Sequence, residues 1–410
     1  MDFDEKHLER AVEDLEERLA DAPGNHQLRV QLGHLYIASG RVEEGLKEID
    51  TVLDKKPNDL HYQLEGAKAL VQAGRRDQAK EKLEDLIAKH PKHPDSHYYL
   101  GVILADQGEF DKAVAAWKKT LRFNRKHAEA HHFIGKVYAM QGNLQDSLHY
   151  TQKALELQPQ NIMAQIQLGE LYLAMQKREE AIKAWQGVLD IDPRNLQALH
   201  NLGALYLDIG MLEQAFASLS QALNLGSNSA VVYFNLGVAY ALKGEMEEAM
   251  DHWEKAIELD ENYLSAYLNL GGAYASQGEY EDAIACFEKM VEVQPQNPDT
   301  HVFLAEMYYR NQQLDQALKS MGKALAISPN LGRAHFLKGT VLMAMGRTAE
   351  GLDSWAEAHA SEGKPIEEAE RFIQQFVTHD MVAQAERIAS SRQHKSVLSL
   401  VEKIRTKEGE

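Results

Sequence analysis

Apolar residues recur along most of the chain at helical spacing, and the whole pattern returns every 34 residues. With repeats beginning at His26, Leu60, Pro94, Ala128, Ile162, Leu196, Ala230, Leu264, Pro298 and Gly332, no step contains an insertion or deletion. Within a repeat, the seventh and eleventh positions share one helical face, as Leu236 and Tyr240 do. The twentieth, twenty-fourth and twenty-seventh share a face of a second helix, as Ala249, Trp253 and Ala256 do. A glycine separates the two helices at Gly40, Gly74, Gly108, Gly142, Gly210, Gly244, Gly278 and Gly346. Pro57, Pro91, Pro159, Pro193, Pro295 and Pro329 stop the second helix. The spacing predicts helical hairpins, each unable to bury its apolar face alone and so stacked on its neighbours.

Two columns hold only small residues. The eighth position reads Gly33, Ala67, Gly101, Gly135, Gly169, Gly203, Gly237, Gly271, Ala305 and Gly339. The twentieth runs from Gly45 through Ala79, Ala113, Ser147, Ala181, Ala215, Ala249, Ala283 and Ala317 to Gly351. Small residues at fixed places let two helices approach closely. All four tryptophans, Trp117, Trp185, Trp253 and Trp355, stand at the twenty-fourth position. A tryptophan that keeps register is a core residue, and the tyrosine column from Tyr36 to Tyr308 is read the same way.

This 34-residue period, with its Leu-Gly, Tyr, Ala and Pro columns, closely resembles the tetratricopeptide repeat. The resemblance covers nearly the whole chain. It implies an all-α fold, a right-handed α-solenoid superhelix of stacked helix-turn-helix hairpins. Residues 1–25 are expected to be an N-terminal half-repeat cap, and 26–365 ten repeats. Residues 366–410 are expected to be a degenerate repeat carrying Ala369, Phe372, Phe376 and Ala385, closed by an amphipathic helix at 395–407.

Composition narrows the function. A net charge of -18 argues against a general binder of DNA or anionic membranes. No apolar run is long enough to span a bilayer, and the acidic N-terminus has no apolar core of a secretory signal. One cysteine, Cys286, allows no disulfide framework, so a reducing cytoplasm is expected. No nucleophile elbow, P-loop or dinucleotide fingerprint appears, and the repeats use nearly every stretch of chain. Neither catalysis nor a cofactor is expected. The histidines of KHPKHPDSH are broken by Pro91 and Pro94, and His97, His131, His301 and His335 share the fourth position as packing residues. No metal site is expected.

The resemblance implies that the first helices line a concave groove. Positions two, five, nine and twelve share the face opposite the core stripe. Position five includes Tyr98, His132, Ile166, His200, Phe234 and Leu268, with no acid or fixed cation in its column. This predicts a mainly apolar inner wall that accepts a peptide or helix of a protein partner; the alternative is that position five packs against the neighbouring hairpin. Asn201, Asn235 and Asn269 recur at position six, extended by Gln167. They are similar to the asparagine ladder of O-linked N-acetylglucosamine transferase, whose amides grip the main chain of an extended peptide. Local packing between first helices is the alternative. The carboxylate clamp of chaperone-binding members is absent, since no repeat has Lys at position five.

Charge is uneven. Residues 117–127 carry Lys118, Lys119, Arg122, Arg125 and Lys126 without an acid, whereas 245–299 are acidic with only Lys255 and Lys289 as bases. The expected function is therefore a protein-interaction scaffold, adaptor or assembly factor. A homo-oligomer assembled through charged ends, or an RNA- or lipid-binding module using 117–127, is the alternative; a solvated convex face also accounts for the basic stretch.

Overall fold

The turn glycines decide where each hairpin folds back. In the computed structural model, which describes residues 3–362, every fifteenth position is left-handed. Eight of the ten are glycine, with φ between 70° and 85°, while Gln176 and Gln312 hold the same conformation at φ 59° and 60°. Only helices occur among the described residues. A first helix, α1 (Phe3–Asp21), packs on the hairpin α2 (His26–Ala38) and α3 (Val42–Lys55). There follow α4 (Leu60–Gln72) with α5 (Arg76–Lys89), and α6 (Pro94–Asp106) with α7 (Phe110–Phe123). Then come α8 (Ala128–Met140) with α9 (Leu144–Leu157), and α10 (Ile162–Ala174) with α11 (Arg178–Ile191). The contacts divide the chain into two compact bodies, Met1–Ala198 and Leu199–Glu410, so the division falls within α12 (Leu196–Asp208). The second body continues with α13 (Leu212–Asn224) and the pair α14 (Ala230–Lys243) and α15 (Met246–Leu259). Three hairpins complete it: α16 (Leu264–Gln277) with α17 (Tyr280–Val293), α18 (Pro298–Arg310) with α19 (Leu314–Ile327), and α20 (Gly332–Ala344) with α21 (Thr348–Glu362). Within each body, successive hairpins stack, the second helix of one against the first helix of the next. This is an all-α solenoid of helical hairpins. The C-terminal repeat and closing helix expected at 366–410 lie outside the described residues.

Each hairpin closes by the same crossing. A Cβ built on Gly101, Gly169, Gly237 or Gly339 would run into the indole of Trp117, Trp185, Trp253 or Trp355, sixteen residues on. The space a side chain would fill at position eight is taken by the one at position twenty-four. Trp117, Trp185 and Trp355 also donate Nε1–H to the carbonyls of Tyr98, Ile166 and Phe336, at 3.1, 3.3 and 3.1 Å. Trp117 and Trp185 are almost wholly buried.

Two polar devices lock successive hairpins. Position four reaches back six residues to a loop carbonyl. Gln63 donates to Pro57 O at 2.7 Å, and His97, His301 and His335 do so to Pro91, Pro295 and Pro329 at 2.9, 3.0 and 2.8 Å. A carbonyl only accepts, so each of these histidines carries its proton on Nε2. The tyrosine column buries its rings and sends the hydroxyl to a residue twenty places earlier, as Tyr36 does to Glu16 and Tyr274 to Glu254. Burial, then the Glu254 bond, pushes the Tyr274 hydroxyl up to about 12.

A left-handed residue with a Cβ costs about 1–2 kcal/mol. Gln176→Gly and Gln312→Gly should therefore each raise stability by about 0.5–1 kcal/mol in urea unfolding. Gln141→Gly, at φ -83°, should lower it. At the crossing, Gly169→Ala should cost about 1–3 kcal/mol by overpacking Trp185. Gly272→Ala, in mid-helix with nothing within 4 Å of its Cβ position, should gain about 1 kcal/mol.

Candidate partner-binding face of the first helices

In the first body, α2 packs on α4, α4 on α6, and α8 on α10. The N-terminal end of this set of helices is polar. His34 bonds Glu65 through Nε2 at 2.9 Å and Gln72 through Nδ1 at 3.0 Å, tying α2 to α4. Lys68 bonds Glu65 at 2.9 Å and lies 5.4 Å from the ring centre of Tyr99 on α6. The His34 bond, opposed by burial and helped by Lys68, pulls the Glu65 carboxyl down to about 2. Burial lowers the His34 pKa, but the bonds to Glu65 and Gln72 outweigh it and leave it raised.

Beyond α6 the character changes. Met140 on α8 is 62% exposed and Met163 on α10 58%, with Leu173 also on the surface of α10. The second body repeats this with Val231 and Leu242 on α14 and Leu268 on α16. Only two large apolar residues outside the first helices, Phe123 and Met211, are comparably exposed among the described residues.

The expected inner wall at position five is thus corrected. Val30, Leu64, His132, Ile166 and Val302 are buried, filling the seam between neighbouring hairpins as in the core alternative. Tyr98 is half-buried, with its ring centre 4.5 Å from that of His127. Half-buried His200 bonds Ser227 at 3.0 Å, and burial lowers its pKa. Phe234 packs with Tyr263 against the Trp253 cluster. Of the site residues expected at this position, Leu268 alone is open. The other exposed apolar side chains stand at positions two and twelve, on the same expected face, and at thirteen, just beyond it. Met163, Leu173 and Val231 belong to the expected face, whereas Met140 and Leu242, at position thirteen, lie outside it.

The carboxamides divide likewise. Asn201, Asn235 and Asn269 are half-buried on α12, α14 and α16 of the second body, and among the described residues no side-chain hydrogen bond holds any of them. Gln167 is buried on α10, and neither amide atom has a partner. It lies near buried Thr151, which stands where four other repeats have tryptophan; a Cβ on Gly135 would sit 2.7 Å from Thr151 Oγ1 and 3.2 Å from Gln167 Nε2. Burial, then Lys136, lowers the His132 pKa against the opposing pull of neighbouring Gln167. Gln167 and His132 therefore belong to the interior of the first body.

No group of three or more potential metal ligands occurs among the described residues. No described helix is long and apolar enough to cross a membrane.

The Glu65 pKa is depressed on folding, so its contribution is present above the unfolded value near 4.5 and is lost as pH falls toward 2. Glu65→Gln should cost about 1–2 kcal/mol at pH 5, with the deficit closing between about pH 4.5 and 2 in urea titrations. Raised His34 contributes fully below pH 6.5 and loses its share as pH rises through its folded value.

Several tetratricopeptide repeat descriptions match the chain, at residues 2–69, 64–122, 128–161 and 196–227, and as TPR repeat at 103–142, 169–210 and 239–278. Residues 276–358 match subunit 3 of the anaphase-promoting complex, or cyclosome. No curated protein matches. Among solved structures, the MamA protein is 31% identical over 41% of this chain and 92% of its own, with a TM-score of 0.38. Pseudomonas aeruginosa pilF is 22% identical over 49% and 92%, with a TM-score of 0.44. The APC/C hetero-tetramer Cut9-Hcn1 is 15% identical over 91% and 94%, with a TM-score of 0.41. TM-scores of this size bear on none of the site residues. Repeat matches along most of the chain, on a solenoid of hairpins in unbroken register, place it in a family of protein-interaction modules: the chain belongs to the tetratricopeptide repeat family.

Proposed function

We propose that this chain is a protein-interaction scaffold whose first helices hold a segment of a partner protein. One observation carries the reading. Among the described residues, six of the eight exposed large apolar side chains stand on first helices. Apolar surface concentrated on one side marks a docking site, and exposed methionine adapts to varied apolar partners. Met140, Met163 and Leu173 anchor apolar side chains in the first body, and Val231, Leu242 and Leu268 do so in the second. Asn201, Asn235 and Asn269 support a ladder that holds main chain, because an amide offers donor and acceptor together and these three are uncommitted.

A second reading is self-association through charge. Lys119, Arg122, Arg125 and Lys126 are exposed without an ion pair in the first body, while α15 and α17 of the second carry most of the acids of 245–299. Salt separates the two readings, since apolar docking is insensitive to it and charge pairing is not.

Peptides selected from a random display library on the immobilised chain should carry apolar anchors. The paired change Met163→Asp with Leu173→Asp should weaken a peptide selected on the first body at least about tenfold, with helicity unchanged. Asn235→Ala with Asn269→Ala should weaken unrelated peptides selected on the second body by a similar factor. Selected peptides that bind all variants alike would refute the first-helix face, and loss of binding with rising salt would move the site to the charged stretches.

A further inference from the structure

Position seven holds Leu or Ile in every repeat from Leu32 to Leu304 except one, where Gly66 stands. Gly66 lines a cavity of about 600 Å³ between α3 and α5, floored by α4, with Leu53 and Lys82 close over its Cα. It lies among second helices, away from the exposed apolar face of the first. Ile49, Leu53 and Leu70 supply apolar wall. Glu43 and Arg75 also line it but are committed to each other by a salt bridge.

Lys82 and Asp50 are not committed. Lys82 is half-buried in the wall, and no ion pair or hydrogen bond within the described residues satisfies its ammonium. Burial holds its pKa below the ordinary lysine value against the pull of Asp50 and Asp85. Asp50 lies at the open side, its carboxyl pushed up by burial and drawn down by Lys82, yet the two form no salt bridge. Asp54 and Lys47, one of each sign, also line the cavity. A simple anion placed there meets Asp50 and Asp54, and a simple cation meets Lys82 and Lys47. A molecule carrying both charges satisfies the wall, and the volume falls in the range of small-molecule sites.

We propose that this cavity binds a small zwitterion of amino-acid or dipeptide size, its carboxylate on Lys82, its ammonium on Asp50 and its side chain against Leu53 and Leu70. Calorimetric titration of the full chain with glycyl-leucine, N-acetyl-glycyl-leucine and glycyl-leucinamide tests it. Removing either charge should weaken binding about tenfold. Asp50→Asn should abolish discrimination against the acetylated form, and Lys82→Met discrimination against the amide. Gly66→Leu should fill the cavity and remove binding. The contacts a Cβ there would meet, Leu53 Cδ1 at 2.8 Å and Lys82 Cε at 3.0 Å, belong to flexible side chains that can move aside. Absence of glycyl-leucine binding, equal binding of all three compounds, or unchanged affinity in a folded Gly66→Leu variant would overturn the assignment. Should Gly66→Leu fail to fold, the two charge-matched comparisons decide alone.

Discussion

The contact between position eight and position twenty-four sets how closely the two helices of each hairpin cross. Where a glycine meets a tryptophan, the large ring enters the space that a Cβ would otherwise occupy. The other pairings keep this complementarity at lower volume. Gly33 faces Ile49, Gly203 faces Leu219 and Gly271 faces Phe287. Interiors are close-packed, so a change on one side of such a pair must be matched on the other. The hairpin formed by α8 and α9 departs from this. Thr151 opposite Gly135 leaves volume shared with Gln167, so buried polar side chains stand where other hairpins place an apolar ring.

Once the crossing is set, polar contacts carry the register from one hairpin to the next. Bonds from position four to a loop carbonyl, and from tyrosine to the residue twenty places back, recur with little change. They account for the four histidines of the position-four column, His97, His131, His301 and His335. Each ring in that column is committed through Nε2 to a carbonyl that a zinc ion would have to displace. Similar hairpins stacked in similar register place equivalent residues of successive first helices side by side, and a partner would meet a repeating surface.

Much of the fold was legible because its constraints are periodic. Small residues, turn glycines and terminating prolines each fall in a column. Gln176 and Gln312 hid two turns, since nothing in a glutamine signals φ above zero; only the period places them. The site was less legible for a geometrical reason. A helical wheel separates the core stripe from the opposite face but says nothing about how far the next hairpin reaches. His132 and Ile166 are buried in the stack, whereas Met140 and Leu242 are exposed, one position beyond the face assumed. The break at Gly66 was visible in its column, yet the unpaired Lys82 beside it became evident only in three dimensions.

A surface built this way distributes its binding energy. In the proposed surface α8 and α16 each offer one exposed apolar side chain and α10 and α14 two, and single truncations at partly exposed positions remove little area. Affinity then depends on how many consecutive repeats a partner spans, and the polar stitching around His34 and Glu65 limits where apolar contact can begin. That network uses the side chains that would face a partner on α2 and α4, tying the helices to each other. On the proposed reading, an apolar segment would meet its anchors in the first body on α8 and α10, while the repeats before them hold the stack in register.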